Sequence, residues 1–300
     1  MRLTAGAAHG FTRTPPALRP GDAVRFVSPA SRPEPEGVER CVEVLSGWGL
    51  KVELGEHVFD ELDYLAGTDE DRLSDLNDAL RSPNVRGIFC TTGGKGAYRI
   101  ADGLDFDAAR NDPKPLIGFS EITILHMALL HRSQLVGVHG LMVSWSPDYV
   151  DLHDINALRR AVMTTDPIVL TTDETESTSS LTTTGVATGP LVGGNLGMMA
   201  TAAGWSLPTL AGCIWFIEDV DKAVGQIDRW LTQLLNAGHL SGIAGVAVGR
   251  FLDCDPRVIE VLRDRLSTLH VPILGGLPVG HGRHSRTMPI GTQSILNADR

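Results

Sequence analysis

The chain has 300 residues, 42% hydrophobic and 21% charged, an ordinary balance for a folded protein of about two domains. Its formal net charge of −10 and lack of a Lys/Arg cluster argue against a nucleic-acid partner. No apolar run reaches the ~18 residues of a membrane span, and the four cysteines, Cys41, Cys90, Cys213 and Cys254, form no CxxC, so they read as reduced packing thiols of a cytoplasmic protein.

The opening stretch, MRLTAGAAHGFTRTPPALRPGD, lacks a signal-peptide apolar core and reads as a flexible tail over 1–17. AVRFVSPAS is a buried-strand pattern stopped by Pro29, and EGVERCVEVLSGWG repeats apolar residues at helical spacing up to Gly49. KVEL is a second strand. TDEDRLSDLNDALRSP is an amphipathic helix with Thr68 as N-cap and acids in its first turn. VRGIFCTT is a third strand, followed by the turn and helix of GGKGAYRIADGL. PLIGF, a helix after Ser120, and QLVGVHG continue the alternation, which predicts a parallel sheet with helices on both faces over 18–147. The pattern then weakens. The segment 148–188, with its Thr/Ser-rich TTDETESTSSLTTTGVATG, reads as a linker or surface hairpin. A second unit over 189–300 holds the strand CIWFIED, a helix over 223–237 stopped by Gly238, the strand IAGVAVGRF and a helix over 256–269.

Ser120 stands where a strand gives way to a helix. A Ser there is most often an N-cap. It also follows a parallel strand at its carboxyl end, where open α/β folds place their sites, and Gly118 supplies the first half of a G-x-S-x-G elbow whose second Gly is replaced by Ile122. In TTGGKGAYR the glycines permit close backbone approach, but the string fits neither GxxxxGK[ST] nor GxGxxG. A tight turn and an oxyanion donor at Gly94 remain as readings. Glu218 and Asp219 follow an apolar strand, where acids usually cap the next helix. His281 and His284 lie in the Gly-rich PVGHGRHSRTMPIG. No third ligand joins them nearby, so a positioned imidazole at His281 fits better than a metal pair. His126, His131 and His139 read as structural. A Ser, a carboxylate and a His thus occur in the order Ser120, Glu218, His281, and a neutral Ser needs such partners to act as a nucleophile.

Seven stretches in order resemble the LD-carboxypeptidases (muramoyltetrapeptide carboxypeptidases) and the related microcin C self-immunity peptidases. They are LRPGDAVRFVSPAS, YLAGTDEDRLSDLNDAL, TTGGKGAYRIADGLDFD, GFSEITILH, GPLVGGNL, FIEDVDKAVGQIDRWLTQL and PVGHGRHSRTMPIG. The resemblance implies a flavodoxin-like α/β N-terminal domain and a smaller β-rich C-terminal domain, with the site between them. It implies a Ser–His–Glu triad of Ser120, His281 and Glu218, with backbone N–H donors at Gly94 and Glu121. It implies Asn195 in the substrate site, no cofactor or metal, and a homodimer. Glu121 replaces the more frequent Asp, and Leu141 the usual Pro. Lys222 stands where the microcin-type enzymes also carry Lys, but the linker has only Tyr149 and no stacking Trp. The expectation is a serine carboxypeptidase cleaving an L,D-amide bond, diamino acid to terminal D-alanine, with Lys222 as a cation for the substrate's carboxylate. The alternative is an amidase for an aminoacyl-nucleotide amide. A rival from another class is a non-catalytic small-molecule binder in which Ser120 only caps its helix.

Overall fold

The computed structural model describes residues 1–5, 12–140 and 152–299; Leu141 and Tyr149 fall outside them. Alternating apolar strands and helices build the expected parallel sheet from β2 (Ala23–Val27), β3 (Lys51–Leu54), β4 (Val85–Cys90), β5 (Leu116–Gly118) and β6 (Gly137–His139). Their spatial order is β3-β2-β4-β5-β6, the flavodoxin-like order, and all four pairings are parallel. Successive residues face opposite cores: Ile88 and Leu116 one, Phe89 and Ile117 the other. Thr68 caps the helix Asp69–Arg81, its hydroxyl accepting the Asp71 N–H at 3.1 Å.

The second sheet runs β11 (Ile273–Leu274), β10 (Gly245–Leu252), β9 (Ile214–Val220), β8 (Val186–Asn195), β13 (Gln293–Asn297), β1 (Arg2–Ala5) and β7 (Ile168–Thr171). It is parallel from β11 to β8 and antiparallel beyond. The remaining strand, β12 (Met288–Ile290), crosses back to pair antiparallel with β6 in the first sheet.

Two expectations are corrected here. The first residues are not a loose tail: Arg2–Ala5 is an inner strand between β13 and β7, with Leu3 fully buried. Nor is 148–188 a bare linker. Helix Leu152–Met163 buries Leu158 and Val162 against Phe26, Trp48 and Ile117, covering one face of the parallel sheet. In the Thr-rich stretch, the buried Thr178 hydroxyl donates to Gly249 O (3.0 Å) and accepts the Gly276 N–H (3.1 Å). A polar sequence is thereby tied down by side-chain bonds together with the burial of Leu181 and Ala187 in the core.

Candidate active site

β5 of the first sheet and β8 and β9 of the second end close to Ser120. It follows β5 by one residue and opens a single 3-10 turn, Ser120–Ile122, before helix Thr123–Ser133. Its φ is +60°, a left-handed conformation that costs a non-glycine residue about 1 kcal/mol or more. No side-chain cap forms at either helix start; the Ser120 hydroxyl instead meets His281 Nε2 at 3.1 Å.

His281 stands on the loop between β11 and β12, and so is carried from one sheet toward the other. The loop is closed by the Ser285 hydroxyl, which donates to Gly280 O (2.7 Å) and accepts the Gly280 N–H (3.1 Å). Arg250 braces it from below, donating to Arg283 O and to Glu176 (2.7 Å). Phe119 lies against the imidazole with ring centroids 4.8 Å apart. Gly280 has φ +113°, and a Cβ there would come within 2.7 Å of Glu218 Oε2, so only glycine lets the loop approach the carboxylate this closely.

Glu218, on β9, is fully buried. Its Oε2 accepts His281 Nδ1 at 2.7 Å and the His281 backbone N–H at 3.3 Å. Asp219 points to the opposite side, as adjacent strand residues do, and accepts the N–H groups of Gly197 (3.0 Å) and Val220 (2.9 Å). Burial works against the His281 imidazolium, but the Glu218 charge and hydrogen bond outweigh it and hold its pKa above the ordinary imidazole value. Burial likewise opposes the Glu218 carboxylate, and the His281 charge and hydrogen bond keep its pKa below the usual range.

Asn195 sits beside Glu218 in the β8–β9 register and caps helix Leu196–Ala202, its Oδ1 accepting the Met198 N–H at 3.2 Å. Its own N–H donates to Thr123 Oγ1 at 3.0 Å, which joins the second sheet to the helix that starts after Ser120. Lys222 lies in the turn before helix Val224–Asn236, so it is not one helical turn from Glu218. Its Nζ donates to Val220 O (2.7 Å) and Asp221 O (3.3 Å) and is 3.9 Å from Asp219.

Gly94 has φ +98° and lies on an exposed turn after β4, and the Glu121 carboxylate reaches that turn from the Ser120 side. Its Oε1 accepts the Gly96 N–H at 3.0 Å. Sequence reasoning gave Glu121 only a backbone role. The available signal was a carboxylate at the head of the apolar run ITILHMALL, which burial obliges to find donors. His139, at the end of β6, is buried edge-on between Phe119 and Phe216, with centroids 5.6 and 5.2 Å away. His284 does not join Ser120; it lines a separate cavity of about 730 Å³ with Arg250 and Arg286. Among the described residues, the group placed tightly enough to hold a metal is His57, Asp60 and Asp71. His57 Nδ1 already bonds Asp60 at 2.8 Å, and Asp71 accepts from Thr68 at 2.7 Å.

Two family models match the chain: the LD-carboxypeptidase N-terminal domain over residues 24–140 and its C-terminal domain over 188–296. The chain belongs to the LD-carboxypeptidase family. This LD-carboxypeptidase relative is 36% identical over 292 residues to a probable murein peptide carboxypeptidase of Bacillus subtilis, covering 94% of this chain and 91% of that one. It is 30% identical to the murein tetrapeptide carboxypeptidase of Pseudomonas aeruginosa, covering 92% and 94%. In fold it is similar to a MccF-like protein from Bacillus anthracis, with a TM-score of 0.84 at 24% identity, covering 95% and 99%. Family membership makes it a serine peptidase.

Proposed function

We propose that this peptidase hydrolyses the L,D-amide bond between a diamino acid and the terminal D-alanine of a cell-wall tetrapeptide, through a covalent acyl-enzyme. The observation that carries the reading is the unbroken relay Ser120 Oγ–His281 Nε2 and His281 Nδ1–Glu218. His281 Nε2 takes the hydroxyl proton as Ser120 Oγ attacks the amide carbonyl, and Glu218 holds the tautomer and stabilises the imidazolium. The N–H groups of Gly94 and Glu121 receive the oxyanion. Collapse of the tetrahedral adduct breaks the C–N bond. His281 gives its proton to the departing D-alanine amine, leaving an ester on Ser120. Water, deprotonated by His281, attacks that ester, and the proton returns to Ser120 as the peptide acid leaves.

Lys222 is the proposed cation for the substrate's terminal carboxylate, which it would meet by exchanging Val220 O and Asp221 O, the carbonyls its Nζ now contacts at 2.7 and 3.3 Å. Lys222→Ala then raises KM for the free-acid substrate and changes little for its C-terminal amide, because the lost attraction is Coulombic. The proposed setting is a cytoplasmic homodimer. Buried Cys41, Cys90 and Cys213 and partly buried Cys254 are all free thiols, which suits a reducing compartment.

One hydrolysis panel tests the reading: the D-alanyl tetrapeptide, its all-L analogue and an aminoacyl-adenylate amide. Cleavage of the first alone is expected, with Ser120→Ala lowering kcat by roughly 10⁴–10⁶ and leaving the fold intact. Preference for the nucleotide amide would move the protein to the self-immunity reaction. Near-normal turnover by Ser120→Ala would remove the triad.

A further inference from the structure

We propose that the Glu121 side chain is a positioning residue, which clamps the glycine turn at 93–98 so that the Gly94 N–H faces the reacting carbonyl. The inference rests on the reading of Ser120 as nucleophile.

Glu121 is adjacent to Ser120, yet its side chain turns inward and is 4% exposed. The carboxylate faces the start of the short helix Ala97–Ile100, accepting the Gly96 N–H at 3.0 Å and drawing on the neighbouring Tyr98 and Ala97 N–H groups. Arg72, 1% exposed, adds a positive charge behind it and is itself held by Pro29 O (2.5 Å) and Asp69. Burial outweighs these donors and holds the Glu121 pKa above the usual carboxylate range, so the carboxylate depends on every one of them to stay in place.

The other side of the turn is held by Ser31. The Ser31 N–H donates to Gly93 O at 3.1 Å, and its hydroxyl accepts the Lys95 N–H at 3.1 Å while donating to Tyr64 O at 2.8 Å. Gly94 lies between these two anchors. Its φ of +98° and the 2.2 Å gap from a Cβ to Ser31 Oγ leave room for glycine alone. Ser31 thus fixes the near end of the turn and Glu121 the far end. Because Glu121 also offers its own N–H beside Ser120, one residue links both donors in a single rigid piece. Donors held before the reaction stabilise a developing oxyanion without reorganising, and loss of one such donor costs about 10²–10³ in kcat.

The experiment uses the full chain and compares Glu121→Gln, Glu121→Asp, Ser31→Ala and Ser120→Ala with the parent. Each is assayed for tetrapeptide hydrolysis, for inhibition by a peptidyl boronate ending in D-boroalanine, and for inhibition by the product tripeptide. Glu121→Gln should lower kcat and boronate affinity together by about 10–100-fold, with KM and product inhibition within about 3-fold. Glu121→Asp should recover most of the loss, since it restores the negative charge and the second acceptor oxygen that glutamine lacks. Ser31→Ala should show the same split to a smaller extent, and it decides the matter if Glu121→Gln does not fold. Parental kcat and boronate affinity in Glu121→Gln, or equal losses for boronate and product, would overturn the clamp alone. A parent enzyme that neither cleaves the peptide nor binds the boronate would overturn the nucleophile reading and this inference with it.

Discussion

Asn195 Nδ2 donates to Glu218 Oε1 at 3.4 Å, on the carboxylate oxygen that His281 leaves free. Both oxygens of a fully buried carboxylate are therefore engaged, one by the imidazole and one by the helix cap beside it. Asn195→Ala removes that donor and the cap together. Stability should fall by about 1–2 kcal/mol in denaturant melts, and kcat should fall more than KM rises. A change confined to KM would mark Asn195 as a substrate contact and nothing more.

The adjacent acids should separate cleanly. Glu218→Gln keeps the shape but lets the His281 tautomer invert, and kcat should drop by about 10³–10⁴. Asp219→Asn weakens the bond to the Gly197 N–H, and its effect should appear in the melting temperature, with activity within about tenfold of the parent. Steady-state assays of the two variants side by side check this.

A base works only when neutral, so activity should rise with pH through the His281 pKa. That pKa is held above the ordinary imidazole value by Glu218, so the acid limb of kcat/KM should have its midpoint above 6.5. In Glu218→Gln the raising charge is gone, and the midpoint of the residual activity should move down. A midpoint that stays in place would disconnect the limb from His281.

Stability should have its own pH dependence. Burial lowers His126 to about 3 and His139 to about 4, from 6.5. The folded protein keeps both rings neutral where the unfolded chain protonates them, so stability is complete above 6.5 and is lost as pH falls toward 4. At pH 5 each ring contributes a loss of about 2 kcal/mol. Chemical denaturation from pH 7 to pH 5 should show the decline, and His126→Asn should remove about half of it, leaving the share of His139.

How much of this could be read from the chain depends on the range of the interaction. The strands β2 to β6 and the Thr68 cap are local patterns, and they stand where the periodicity puts them. Ser120, Glu218 and His281 were visible as residue types, and family resemblance joined them, but no spacing could bring residues 161 positions apart to 3.1 Å. Arg2–Ala5 was missed because RLTA offers two small apolar steps, and its partners lie near the far end of the chain and in the middle. Helix Leu152–Met163 was missed although Leu152, Ile155, Leu158 and Val162 recur at helical spacing; its polar surroundings hid it. The Glu121 clamp depends on a turn folded beside it from 25 residues upstream, which no local rule anticipates.

The exchange of end strands also orders events during synthesis. Arg2–Ala5 is made almost 290 residues before one of its partners, Gln293–Asn297. In the same way β6 keeps an open edge until Met288–Ile290 arrives to cover it. His281 lies on the loop between β11 and those later strands, so Ser120 is made 161 residues before the imidazole proposed as its base. A chain stalled before residue 281 lacks the proposed base, and one stalled before residue 288 leaves the edges of β6, β8 and β1 open to other chains.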